Sequence, residues 1–336
     1  MKKILLSLVG VVAVIGFGFG VKALAAPTTL GLTVSPPTYE LSANPGDSLS
    51  NTIRVTNDSD SAVTLAVAAQ DFTVGGTEGS VTVEDKTSTS SFSSWFNFST
   101  TQIQLAAKGT ALVPFTINVP KGAEPGGHFA TVLFNPVVTA NSSSTGASVI
   151  QRVGSLILMK VSGAIVEQGS ITRFSTKSFK GSFQTVTASD GKTKIYVASA
   201  EQLNQEHARS YYNKGPVAFD VLIKNSGNVH FKPGGTVTIY NIWGHKVDQV
   251  ALDPHNVFPG GERRITVVWP AVNLWGGYYR AQVAAVYGSQ NKILTAETVF
   301  WAFPLWAIIL ILVVLILVIL LHRRLLTAAK VLIKGR

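Results

Sequence analysis

The chain has 336 residues, 46% of them hydrophobic and only 14% charged, with a formal net charge of +10 and no cysteine. Soluble domains average about 25% charged residues, so part of this chain is expected to lie away from water, and the missing thiols exclude disulfide scaffolds, thiolate zinc sites, iron–sulfur clusters and cysteine nucleophiles. The basicity sits at the ends: residues 1–25 carry Lys2, Lys3 and Lys22 with no acid, and residues 300–336 carry Arg323, Arg324, Lys330, Lys334 and Arg336 with no acid, which leaves the middle at +2. Charge placed in this way is a topology signal, and nucleic acid is not expected as a partner.

At the N-terminus, Met-Lys-Lys precedes the uncharged run Ile4–Val21, then Lys22 and the small-residue sequence Ala23-Leu24-Ala25-Ala26. This is the pattern of a signal peptide over residues 1–25, cut between Ala25 and Ala26. An uncleaved anchor is the rival reading, against which stand the poor helix formers Gly10, Gly16, Gly18 and Gly20.

Residues 26–164 and 165–299 read as two tandem immunoglobulin-like β-sandwiches, so the fold class is all-β. Leu49, Ile53 and Val55 alternate with Thr52, Arg54 and Thr56, and the same period of two recurs at Val63/Leu65/Val67, Phe115/Ile117/Val119, Phe219/Val221/Ile223 and Ile265/Val267/Trp269. Short alternating segments bounded by Gly, Pro, Asn, Asp and Ser, with no long helical pattern between them, predict antiparallel sandwiches. The halves echo each other: each carries a strand, an Asn-led turn and a second strand, and each closes with a Gly-rich turn before a long apolar strand. The boundary is expected near Gly163–Gly169. The Ser/Thr-rich run 139–148 is read as a hairpin loop inside the first sandwich, and residues 201–215 are the one stretch outside the membrane span with the pattern of a short helix.

From Phe300 to Leu321 there are 22 residues without a charge. As a helix they span about 33 Å, matching the roughly 30 Å hydrocarbon core of a bilayer. Trp301 and Trp306 stand at the start and His322-Arg323-Arg324 at the exit. The positive side is cytoplasmic. A single-pass plasma-membrane protein follows, with the lipid bilayer as a partner, the sandwiches extracellular, and Arg323 and Arg324 setting the topology. A buried core helix is the rival and lacks the polar face such a helix shows. The tail 322–336 either lies as a basic amphipathic helix on the inner leaflet or serves only to stop transfer.

Neither GxSxG nor HExxH occurs, and none of the six histidines is spaced i, i+2 or i, i+4 from another. His230, His245 and His255 could converge in a sandwich, but histidines scattered over strands and loops are more often surface groups than ligands. Glu84-Asp85 is the only adjacent acidic pair and falls in a polar turn. An enzyme is not expected, nor a metal or cofactor. Trp275, Tyr278 and Tyr279, clustered about Gly276-Gly277, are candidates for a glycan- or partner-binding platform, with edge packing as the alternative. Trp269 belongs with the core by alternation.

The opening VSPPTYELSANPGDSLSNTIRVTNDSDSAVTLAV, the segment LAAKGTALVPFTINVPKGAEPGGHFATVLF, the strand RVGSLILMKVSG, and a second sandwich followed by one apolar helix and a basic tail together resemble the WxL-interacting proteins of Gram-positive bacteria. The resemblance implies a first domain associated with peptidoglycan, a second with surface proteins, and a helix holding both at the membrane. The expected function is therefore a non-enzymatic, membrane-anchored surface protein that binds cell-wall glycan or another surface protein. The alternative is a membrane-tethered assembly chaperone for pilus or surface-layer subunits, acting by β-strand addition.

Overall fold

A computed structural model describes residues 31–84, 91–137, 152–178, 183–187, 194–198, 208–270 and 277–334. The expected signal peptide with Ala25 and Ala26, the run 139–148 and Trp275 lie outside the described residues. The first domain holds β1 (Leu32–Ser35), β2 (Thr38–Ala43), β3 (Ser48–Asn57), β4 (Val63–Gly75), β5 (Ser80–Val83), β6 (Phe96–Phe98), β7 (Gln102–Leu105), β8 (Thr110–Asn118), β9 (Gly126–Pro136) and β10 (Val153–Val161). One sheet runs β1-β3-β8-β6; the other runs β2-β10-β9-β4-β5, with β7 also on β4. The second domain holds β11 (Gly169–Ser178), β12 (Phe183–Thr187), β13 (Lys194–Ala198), β14 (Tyr211–Tyr212), β15 (Val217–Asn225), β16 (Gly234–Asn241), β17 (Lys246–Ala251), β18 (Glu262–Trp269), β19 (Gly277–Tyr287) and β20 (Lys292–Ala302). Its sheets are β11-β15-β18 and β14-β20-β19-β16-β17, with β12-β13 as a separate ribbon. The chain is thus all-β, two immunoglobulin-like sandwiches followed by one helix, α1 (Leu305–Lys334), whose segment Leu305–His322 is long and apolar enough to cross a membrane.

Each sandwich closes because the apolar members of the alternation share one face. Ile53, Val55, Leu65, Phe115, Ile117, Phe134 and Met159 fill the first core; Phe219, Val221, Ile223, Ile239, Trp269, Val283 and Phe300 fill the second. Pro36 and Pro37 lack the N–H that a ladder needs, and there the chain leaves one sheet for the other. β1 pairs antiparallel with β3, and β2 pairs parallel with β10.

The internal echo has a structural cause. Asn57 and Asn225 are fully buried at the ends of β3 and β15. Asn57 Nδ2 donates to the Ser61 and Ala106 carbonyls and its Oδ1 accepts from Ser59 N–H; Asn225 Nδ2 donates to the Val229 and Val257 carbonyls and its Oδ1 accepts from Gly227 N–H. In both halves one amide closes a turn and ties it to the loop before the next strand of that sheet.

Two expectations change. Phe300 does not begin the membrane helix: it lies in β20, fully buried in the second core, and the sandwich runs to Ala302. The apolar run there joins the end of a strand to the start of a helix, with Pro304 between them. In the stretch 201–215, residues 201–207 lie outside the described residues, while Tyr211–Tyr212 pair with β20 as a strand and Ala208 bridges to Lys177.

Candidate functional site

The domains meet where the linker 162–168 passes between β10 and β11. Asn228, in the turn after β15, fixes three segments at once. Its carbonyl accepts from Gly127 N–H (2.8 Å), its Oδ1 accepts from Val166 N–H (2.8 Å), and its Nδ2 donates to the Ala164 carbonyl (3.0 Å). The approach is close because Gly126 has φ +139°, and a side chain there would meet the Asn228 carbonyl.

Beside this staple the outward face of the β9 sheet is covered by aromatic rings. Phe129 lies 4.9 Å from Phe258 and 5.5 Å from His230, with Phe72 6.0 Å from both phenylalanines. His230 is only 2% exposed. Burial, with Lys160 nearby, pulls its pKa from 6.5 to about 4, while Glu40 opposes the shift. At neutral pH it is an uncharged ring packed among phenylalanines.

A charged contact flanks the aromatic one. Arg264 Nη1 meets Glu78 Oε1 of the β4–β5 turn at 3.0 Å, and Arg263 donates to the Glu78 carbonyl. Arg264 Nε also reaches Asp220 at 3.2 Å, joined there by Arg173 at 3.2 Å and Lys177 at 3.1 Å. Asp220 is 1% exposed on β15. Its three cations come from β11 and β18, the strands on either side.

On the far side of this interface a cleft of about 590 Å³ opens between the domains. Ser42, Asn44 and Asp47 line it from the first domain with Lys160 of β10; Glu167 and the β19–β20 turn line it from the second. Most of its polar groups are committed. Glu167 accepts from Ser289 N–H and hydroxyl, Lys292 donates to the Glu167 carbonyl, and Asn44 accepts from Ser162. No described carboxylate forms an ion pair with Lys160. Along the cleft runs β2, paired as a strand only with β10 among the described residues, its Glu40 side chain accepting from Asn256 Nδ2 of the second domain at 3.0 Å. The Pro37 carbonyl accepts from Leu156 N–H of β10 and the Ala43 carbonyl from Ser162 N–H just after it, so by parallel registry the backbone groups of Glu40 and Ser42 point to the free edge.

Of the expected aromatic platform, Trp275 lies outside the described residues, and Tyr278 and Tyr279 point to opposite faces of β19. Tyr279 is buried against Trp269 and stacks on Phe300 at 5.3 Å. Tyr278 faces the other way, 5.3 Å from Trp301, as alternation along β19 requires. His245 sits in the β16–β17 turn, at the opposite end of the sandwich from the loops that carry His230 and His255. Among the described residues no three His, Cys, Asp or Glu side chains form a group able to hold a metal ion.

No protein-family model and no curated protein matches the sequence. Several solved structures are similar in shape. A chain from a chaperone–tip adhesin complex of CFA/I fimbriae biogenesis shares 11% identity over 80% of this chain and 98% of its own, with a TM-score of 0.38. The class 5 fimbriae chaperone CfaA shares 13% over 82% and 100%, with 0.37, and the E. coli chaperone DraB 12% over 81% and 98%, with 0.33. At these values the likeness fixes neither strand registry nor any functional residue.

Proposed function

We propose that this is a non-enzymatic protein of the plasma membrane, held by α1 with both sandwiches outside, that docks an extended segment of another exported polypeptide along β2 and into the cleft beside Lys160. The observation that carries the reading is the free edge of β2, whose outward N–H and C=O groups at Glu40 and Ser42 run toward the cleft. An added strand gains main-chain hydrogen bonds there. The Lys160 ammonium supplies donors to a carbonyl or carboxylate of the guest. In the first domain the uncovered part of β8 is blunted by Pro114, since β6 covers only Phe115–Ile117 of that strand. Outward orientation is supported by Arg323 and Arg324 directly after the apolar span.

The test places a photo-crosslinking amino acid at Glu40 of the full chain in intact cells. The expected adduct contains an exported polypeptide and is lost in Ser42→Pro, which removes an outward N–H without touching the pairing to β10, and is weakened in Lys160→Met. Adducts that persist unchanged in Ser42→Pro overturn strand addition. Retention on isolated cell wall with no polypeptide adduct moves the function to wall-polymer binding, as the resemblance to WxL-interacting proteins implies.

A further inference from the structure

The end of the second domain from which the chain leaves for α1 is unusually apolar on its outside. In the β14-β20-β19-β16-β17 sheet, Asn241 pairs with Tyr279, and Tyr279 with Phe300, so these three residues form one row across the strands. Beyond that row β20 runs through Trp301 and Ala302 to Pro304 and the helix. The β16–β17 turn projects beyond the same row, at the same end and about 10 Å away laterally, two strand spacings. The turn presents Ile242 at 55% and Trp243 at 74% exposure, and Trp301 is 49% exposed, with Tyr211 and Tyr278 alongside. Isolated exposed apolar residues need no explanation, but a group of aromatic rings at one rim of one sheet does.

The strand-to-helix junction is fixed to the domain. Phe303 N–H donates to the Tyr212 carbonyl at 3.0 Å and its carbonyl accepts from the Tyr211 hydroxyl at 3.1 Å. Its ring covers Gly277, which has φ +81° and where a Cβ would come within 2.6 Å of that ring. The helix leaves the domain entirely, since none of Leu305–His322 is buried against it. Two residues, Phe303 and Pro304, therefore separate the rim from the apolar span. The headgroup layer on each side of the hydrocarbon is about 5–7 Å deep, a depth that two residues beyond the row can span at about 3.3 Å each.

We propose that this rim is a membrane-docking surface: the Ile242-Trp243 tip, with Trp301, Tyr278 and Tyr211, sits in the lipid headgroup layer of the bilayer that α1 crosses, so that the second domain stands on the membrane by two points and not by a flexible stalk. Amphipathic rings favour this layer, with the apolar body toward the acyl chains and the N–H or O–H toward water. The inference rests on α1 being a membrane anchor, and the experiment separates the two. Because the chain has no cysteine, H245C, Q290C and L312C each accept one environment-sensitive fluorophore in the otherwise native full chain, reconstituted into phosphatidylcholine–phosphatidylglycerol vesicles carrying nitroxide lipids. The label at 245, beside the intact tip, is expected to be blue-shifted and quenched several-fold more than the label at 290, at the far end of the same sheet, and to lose this difference when Ile242 and Trp243 are both changed to Ser. The label at 312 reports the anchor alone. Quenching at 312 with equal, weak quenching at 245 and 290 overturns docking and leaves the anchor standing; no quenching at 312 overturns the anchor and docking with it. Quenching at 245 that survives I242S/W243S also overturns the proposal, since nearness to the helix would then account for it.

Discussion

Acid should loosen the contact between the domains through His230. Its imidazole is 2% exposed between Phe129 and Phe258, with Lys160 and Glu40 the charged groups nearby, and its pKa falls from 6.5 to about 4. A folded-state value below the unfolded one means that the unfolded chain binds the proton first. The stability tied to the neutral ring is complete above pH 6.5 and drains away as pH drops through about 4. At about 1.4 kcal/mol per pH unit that gap is worth about 3 kcal/mol, a sizeable fraction of a domain's total of roughly 5–15 kcal/mol. The perturbation is His230→Leu, which keeps an apolar group in the site. No hydrogen bond at Nδ1 is lost by it, so at neutral pH the cost should stay under about 1.5 kcal/mol. Urea unfolding of the full chain in detergent micelles, followed by tryptophan fluorescence at closely spaced pH values from about 7 to about 4, gives both stability curves. Carboxylate protonation weakens both proteins alike, so the His230 contribution is their difference: the wild type should lose up to about 3 kcal/mol more than His230→Leu across this range. Parallel curves would refute the assignment of a neutral, buried imidazole to this interface.

Asp220→Asn should destabilise the second domain by about 3–5 kcal/mol in the same assay, because Arg173, Lys177 and Arg264 would be left facing one another around a buried neutral amide. Adding Lys177→Met should restore part of the loss, and strict additivity of the two changes would argue against a shared charge cluster. Phe258→Ala removes the half-buried ring that Phe72 and Phe129 both meet, at a cost of about 2–3 kcal/mol, below that of a fully buried phenylalanine. It should also speed proteolysis in the linker 162–168 while leaving the Asn57-centred turn of the first domain protected from hydrogen exchange. Gly227→Ala drives a Cβ into the Val166 carbonyl of the linker. A loss of about 1–3 kcal/mol is expected, measurable as a lower urea midpoint; an unchanged midpoint would mean that the linker gives way there.

The strands were legible because burial on one face writes itself as a period of two, and Ile53/Val55 or Phe219/Val221/Ile223 carry that signal without ambiguity. The start of the apolar helix was not, because hydropathy is blind to backbone shape. Val299 to Ala302 are as free of charge as the span, yet alternate in burial as part of β20, and Pro304 was the punctuation that separated the two. Of the aromatic platform, alternation decides that Tyr278 and Tyr279 face opposite ways, but only the registry with Phe300 and Trp301 says which is inside. The interface lay further out of reach. Phe129 occupies an outward position of β9 and reads as an ordinary exposed ring until Phe258 and His230 arrive from the other domain. Asp220 was visible as an acid inside the apolar strand VAFDVLIKN, but its partners stand on neighbouring strands and are defined by pairing alone.

These unread contacts decide what the proposed cleft can do. A strand added to β2 gains a few main-chain bonds, each worth about 0.5–1.5 kcal/mol net, and must offset the ordering of an extended guest. If the domains rotated freely about 162–168, docking would also have to fix their angle. The Asn228 staple, the Phe72–Phe129–Phe258 contact and the Glu78–Arg264 pair hold that angle in advance, which lowers the cost of binding. The Phe303 junction extends the same logic downward, since it ties the second domain to the helix as firmly as Asn228 ties it to the first. With α1 as the proposed anchor, the cleft would stand at a set height over the bilayer, where the proposed guest segment would meet it.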